Sequence, residues 1–203
     1  ALPFSALYEP NVAGTRRALE LSLLFKDASS LVDFVHISTI GVAPPAHPEV
    51  LLDCNSNSWE HVASLSSGYA QSKWVAEQLV CKLAKPLHRE SLRSLTVFRP
   101  GTIFGDSRTG ASNISDAVNM MLLGIIQEES VCLDIYDSPL PRWYNLCPVD
   151  YVSRAIARIA ISNQSGQLEK KQGAVVAHLC APHALELRTI VDYLRAAGYI
   201  VKD

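Results

Sequence analysis

No apolar run in this 203-residue chain reaches bilayer length: the longest, Met120 to Ile126, falls far short of the roughly 20 residues a spanning helix needs. Charge of one sign is also missing. Eighteen basic against twenty acidic residues leave a formal charge of −2, so there is no electrostatic footprint for nucleic acid or an anionic membrane. Cysteine is sparse and unpatterned: Cys54, Cys81, Cys132, Cys147 and Cys180 are odd in number, irregularly spaced and free of any C-x-x-C pair. That argues against a disulfide scaffold and reads as buried thiols in a reducing compartment, so a soluble, cytoplasmic protein is expected. His178, Cys180 and His183 lack the second ligand pair that a structural zinc site needs, so no metal is expected. Repeats and low-complexity segments are absent. The chain opens ALPFSALYEPNVAGT, without Met, a basic leader or an apolar signal core, and it is expected to start mid-domain. What remains, 48% hydrophobic and 19% charged residues, is the balance of one globular domain or a large piece of one.

Strand and helix patterns alternate along most of that length. Helical periodicity covers Asn11 to Leu24, with Pro10 placed where a first turn tolerates it, and returns over Gly68–Leu87, Ile114–Gln127, Val149–Ile161 and Leu185–Ala197, the last ended by Gly198. Short β-rich runs cover Leu31–Ile37, Leu95–Phe98 (stopped by Arg99-Pro100-Gly101), Val131–Tyr136 and Ala174–Leu179. Residues 43–67, rich in Pro, Ser and Asn, read as loop, 109–115 as a second loop, and 162–173 as a linker. The alternation predicts an α/β fold built on a parallel sheet with right-handed crossovers.

Sites in open parallel sheets lie outside the carboxyl ends of the strands, and three chemically useful segments fall there. Tyr69 and Lys73, four apart at the start of a helix, share one face. Ser38 and Thr39 bring hydroxyls to the end of the preceding strand, and Arg99-Pro100-Gly101 ends the next. A phenol of ordinary pKa near 10 is a poor acid–base catalyst at neutral pH, and a nearby ammonium is expected to favour its ionised form. Tyr69 would then exchange a proton with a carbonyl oxygen that Ser38 or Thr39 holds by a hydrogen bond. Each residue also has a plainer reading. Tyr69 could be an ordinary helix tyrosine, Ser38, Thr39 and Asn11 could be caps, and His36 reads as a satisfied core histidine. Arg142, Trp143 and Tyr144 read either as the rim of a substrate entrance or as exposed aromatics.

These residues resemble the extended short-chain dehydrogenase/reductases, and most closely the thioester reductase domains of nonribosomal peptide synthetases, polyketide synthases and carboxylic acid or aminoadipate reductases. The likeness rests on Asn11-Val-Ala-Gly-Thr15, Ser38-Thr-Ile-Gly-Val42, Gly68-Tyr-Ala-Gln-Ser-Lys-Trp-Val-Ala-Glu77, Arg99-Pro-Gly-Thr-Ile-Phe-Gly105, Asn145-Leu-Cys-Pro-Val-Asp-Tyr-Val152 and His178-Leu-Cys-Ala-Pro-His183. The resemblance implies a Rossmann-like sheet with a small C-terminal substrate-side portion. It implies Thr39 as the hydroxyl member (Ser38 if the register slips by one), Tyr69 as proton donor, Lys73 as its partner and a ribose ligand, and Asn11 near the lysine. Arg99, Pro100, Gly101, Thr102 and Ile103 would border the nicotinamide. The family's opening G-x-x-G-x-x-G turn, whose amides cradle a pyrophosphate, is not found in these 203 residues. The chain therefore reads as the later part of such a domain, its first βαβ units missing, with 1–105 the remaining core and 106–203 mixed core and substrate side. By itself it is expected to bind cofactor poorly.

The activity so implied is NADPH-dependent reduction of a thioester on a phosphopantetheine carrier domain to an aldehyde or alcohol. Redox-inactive cyclising release, reduction of a free carbonyl compound and a non-catalytic fragment stay open as alternatives.

Overall fold

A computed structural model describes residues 2–24, 32–43, 59–65, 67–87, 92–133, 142–164 and 174–203. In chain order the first elements are α1 (Phe4–Leu7), a π-helical turn (Tyr8–Ala13), α2 (Gly14–Leu24), β1 (Val32–Ile37), a 3₁₀ turn (Ile40–Val42), α3 (Trp59–Ser64), α4 (Gly68–Leu87) and β2 (Leu92–Pro100). Then follow β3 (Thr102–Phe104), α5 (Ala117–Glu128), β4 (Trp143–Tyr144), β5 (Leu146–Pro148), α6 (Val149–Gln164), β6 (Val175–Leu179), β7 (Leu185–Glu186) and α7 (Leu187–Ala196). The chain divides into two compact units, Ala1–Pro100 with Arg154–Leu179, and Gly101–Ser153 with Cys180–Asp203.

The first unit holds a parallel sheet in the order β1-β2-β6, so the α/β class expected from the alternation is the observed one. Its central strand buries Leu95, Thr96, Val97 and Phe98 in succession, as a parallel strand covered on both faces must. Val80 and Cys81 of α4 pack with Leu95 and Val97, and Phe34, Ala174 and Val176 close the cluster. α4 also packs on α1, α2 and both short turns, which makes it the unit's organising helix.

Two prolines bear on the sequence reading. Pro10 does not open a helix; it lies inside the π-helical turn, and helical structure already begins at Phe4. A proline offers no N–H to the regular ladder, and here the Gly14 amide reaches back five residues to the Glu9 carbonyl. The second strand does end within Arg99-Pro100-Gly101: Pro100 is the last residue of β2, in register with Leu179, a strand end where its missing N–H costs little. Within the segment read as loop, Trp59–Ser64 is helical, and residues 44–58 lie outside the described set.

The second unit is built on two small pairings, β3 with β5 (parallel) and β4 with β7 (antiparallel). Ile125, Val131, Tyr144, Leu187, Ile190, Val191 and Val201 form its core. α5 starts three residues later than its periodicity suggested because Asp116 caps it, its Oδ1 accepting from the Val118 and Asn119 amides at 2.9 Å each. The last helix begins at Leu187, since Leu185 and Glu186 are spent pairing with β4. Gly198 ends that helix region with φ +96, as expected of a left-handed terminator. No strand forms over Val131–Leu133; Ser130 makes one bridge to Lys202, and residues 134–136 of that expected strand lie outside the described set. Asp150, in the first turn of α6, accepts from the Ser107 amide (2.9 Å) and hydroxyl (3.0 Å).

Among the described residues the cysteines are not uniformly buried thiols: Cys81 is disulfide-bonded, Cys132 is exposed, Cys180 is half-buried and Cys147 is fully buried. Among the described residues no helix is long and apolar enough to cross a membrane.

Candidate active site

The first turn of α4 brings Tyr69 to the surface, 48% exposed, and one turn later the Lys73 ammonium donates to the Ile37 carbonyl at 2.5 Å. That bond pins the lysine to the last residue of β1, directly before Ser38 and Thr39. Ser38 closes the sheet end through its amide, which donates to the Phe98 carbonyl at 2.7 Å; its side chain is buried, and the hydroxyl finds no partner. Thr39 has left the sheet. Its Oγ1 accepts from the Gly41 amide at 3.1 Å, capping the 3₁₀ turn, and its O–H remains able to donate outward from a half-buried position. The cap reading and the site reading of Thr39 are thus compatible.

Asn11 is not a helix cap, because helical structure begins upstream of it. Its Nδ2 donates to Ser72 Oγ (2.9 Å), and that hydroxyl donates to the Tyr69 carbonyl (2.9 Å). Asn11 thereby ties the π-helical turn to the turn of α4 that carries the phenol. Ser72, which makes this link, is not singled out by any sequence pattern.

Burial sets the electrostatics here. It raises the Tyr69 pKa, and Lys73 is not among the causes, so the expectation that the ammonium favours the ionised phenol does not hold in this structure. Tyr69 is a neutral phenol at pH 7 and can donate a proton. Burial also lowers the Lys73 pKa, and Glu77, one turn further along α4, opposes that. His36 on β1 is pushed down to about 4, first by burial and then by Lys73, with Glu77 again opposing. It is buried as expected, but not satisfied: its Nε2 has no partner.

The strand-end loop divides between inward and outward residues. Arg99 is only 4% exposed and turned inward, its guanidinium forked onto the fully buried Glu77 carboxylate with Nε–Oε2 at 3.0 Å and a second, shorter contact from Nη2 to Oε1. Pro100 is buried at the end of β2. In the second unit, a Cβ on Gly101 would stand 2.4 Å from Asn145 Oδ1, so only glycine fits. Thr102 and Ile103 are exposed, and the Thr102 amide donates to the Asn145 carbonyl at 2.8 Å. The Asn145 side chain also exchanges hydrogen bonds with both backbone groups of Ala181. Of the aromatic rim, Trp143 is 55% exposed beneath Arg142, whereas Tyr144 is core, with its hydroxyl on Met121 Sδ at 3.1 Å.

The second unit also contains an apolar cavity of about 330 Å³, lined by Phe104, Val118, Leu122, Leu146, Ile190 and Leu194 among others. The apolar run Met120 to Ile126 is split by it: Ile125 is buried, Leu122 faces the cavity, and Met120 is exposed.

Known proteins are similar to this chain. Glycine betaine reductase of Emericella nidulans is 32% identical over 97% of the chain, and L-2-aminoadipate reductase of Schizosaccharomyces pombe 32% identical over 98%. The chain spans only 14% and 13% of those two proteins. The solved terminal R domain from the myxalamid PKS-NRPS biosynthetic pathway is 30% identical, with a TM-score of 0.73 over 99% of this chain and 45% of that one. A family model for an NAD-binding domain, described as Male sterility protein, matches residues 1–156, more than half of the chain. The protein belongs to that NAD-binding family, and its relatives include reductases and a terminal reductase domain.

Proposed function

We propose that this chain is the proton-transfer part of a reductase domain that releases a carrier-bound acyl or peptidyl thioester by NADPH-dependent reduction to an aldehyde, or onward to an alcohol. The observation that supports the reading is a half-exposed phenol one helix turn from an ammonium that is fixed to the end of β1, the strand end from which Ser38 and Thr39 follow. The names of the relatives, reductases acting on carboxylic substrates or terminating a synthetase, point the same way.

The residues suit the nicotinamide end of a dinucleotide. Lys73 keeps two donors beyond the one it spends on Ile37, enough to hold ribose hydroxyls, and Thr102 and Ile103 are exposed on the loop the resemblance sets beside the ring. The pyrophosphate would need a glycine-rich turn that these 203 residues do not contain. When bound, the reduced cofactor supplies the hydride. Thr39 holds the substrate carbonyl oxygen, and Tyr69 donates its proton to that oxygen as charge grows there. Asn11 and Ser72 fix the turn from which the phenol projects. The hemithioacetal so formed collapses: its C–S bond breaks, the C=O of the aldehyde forms, and the hydroxyl proton passes to the departing sulfur, which leaves as the thiol of the carrier's phosphopantetheine arm.

The test uses the complete reductase domain containing this chain, with loss of reduced-nicotinamide absorbance followed after adding an acyl-carrier thioester. Tyr69→Phe is expected to slow turnover by roughly 10²–10⁴-fold with little change in substrate KM. An unchanged rate removes Tyr69 from the mechanism, and a cyclised product formed without cofactor consumption selects a redox-inactive release domain instead.

A further inference from the structure

One turn beyond Lys73, α4 places a glutamate where the fold offers no water. Glu77 is fully buried, and Arg99, at the end of β2, comes to it almost as deeply buried, with a two-pronged contact. Withdrawing two charges from solvent is costly, and apolar residues of similar size would join helix to strand at least as well. Architecture alone therefore does not account for charges at this place. Their neighbours do. Lys73 lies one turn away on the same face of α4, partly withdrawn from water, with its ammonium on the Ile37 carbonyl. Among the described residues, the titratable groups that interact with that ammonium are Glu77 on its own helix and His36 on β1, with Arg99 on β2 reached through Glu77. His36 is neutral at pH 7, and Glu77 supplies the negative charge.

We propose that Glu77, gripped by Arg99, is the positioning residue for Lys73: it fixes the helix turn that delivers the ammonium to the end of β1 and supplies the counter-charge the ammonium would otherwise lack. Arg99 thus serves the site from behind α4, by orienting a carboxylate. The inference rests on the proposed role of Lys73 beside Tyr69, but its test reads Lys73 without turnover.

In the complete reductase domain, the pH dependence of Lys73 acylation by acetic anhydride, quantified by peptide mass spectrometry, reports the titration of this amine directly. Two variants are compared with the parent: Glu77→Gln, which removes the carboxylate charge facing Arg99, and the double variant Glu77→Met with Arg99→Met, which removes both charges and should fold even where the single variant does not. Both variants are expected to move the Lys73 midpoint down, Glu77→Gln the further because Arg99 keeps its charge, and the alkaline limb of the NADPH-oxidation rate with it. A midpoint that stays in place in a folded variant, with only the melting temperature changed, makes the pair purely structural and overturns the proposal. A shifted midpoint in a protein that oxidises no NADPH retains the positioning and discards the reductase reading.

Discussion

A side chain buried without a partner leaves a mark on the pH dependence of folding, and His36 is the sharpest instance. Its imidazole has a folded pKa of about 4, below the ordinary value near 6.5, so between those two values the unfolded chain takes up a proton that the folded chain refuses. The stability His36 leaves intact is thus present above about pH 6.5 and lost as pH falls toward 4, by up to about 3 kcal/mol for a shift of this size. Urea midpoints at pH 7 and pH 4.5 should differ markedly for the parent and much less for His36→Gln; equal slopes for both proteins would place the acid sensitivity elsewhere. At this scale the reading of sequence was uneven for a physical reason. Tyr69, Lys73 and the Ser38–Thr39 hydroxyls are visible because their spacing on a helix and at a strand end is itself the signal. Glu77 and Ser72 are not, because a helix glutamate or serine looks the same whether it meets water or a buried partner. One clue for Glu77 was present: an arginine after the apolar run Leu95-Thr-Val-Phe98 implies a buried cation that needs an acid, and a glutamate one turn past Lys73 can supply it.

Elements were legible where periodicity is long and blurred where a few hydrogen bonds decide. α4 matches its periodic run end to end, and β1 and β6 lie within one residue of theirs, whereas the two-residue and three-residue strands of the second unit carry no period at all. Helix starts depend on single caps. For α5 the periodic pattern extends back to Ile114, yet the helix begins after Asp116, whose carboxylate satisfies two amides that nothing inside the helix can reach. Asp116→Ala is expected to cost about 1 kcal/mol, and Asp116→Asn much less, since an amide oxygen can accept the same bonds. Thermal unfolding of the two variants side by side checks this. A loss as large for Asn as for Ala would assign the effect to charge, not to the cap. Proline shows the same sensitivity to position: Pro100 is harmless at the end of β2, whereas Pro10 falls within the π-helical turn.

At the scale of the molecule, the second unit carries a feature of its own, an apolar cavity of about 330 Å³, within the size range of small-molecule sites. Such a cavity suits an aliphatic chain, which brings no polar atoms needing partners. Each methylene moved from water into it is worth about 0.8 kcal/mol, close to a fourfold change in affinity. The dissociation constants of a series of straight-chain alcohols, measured by calorimetry, should therefore fall by about that factor per added carbon until the cavity is filled. Leu122→Trp, which places an indole in the cavity, should flatten that dependence while the melting temperature stays near the parent value. A series that keeps its slope in the variant would show that the chain binds elsewhere, and a large drop in melting temperature would mean that the indole has disturbed the fold.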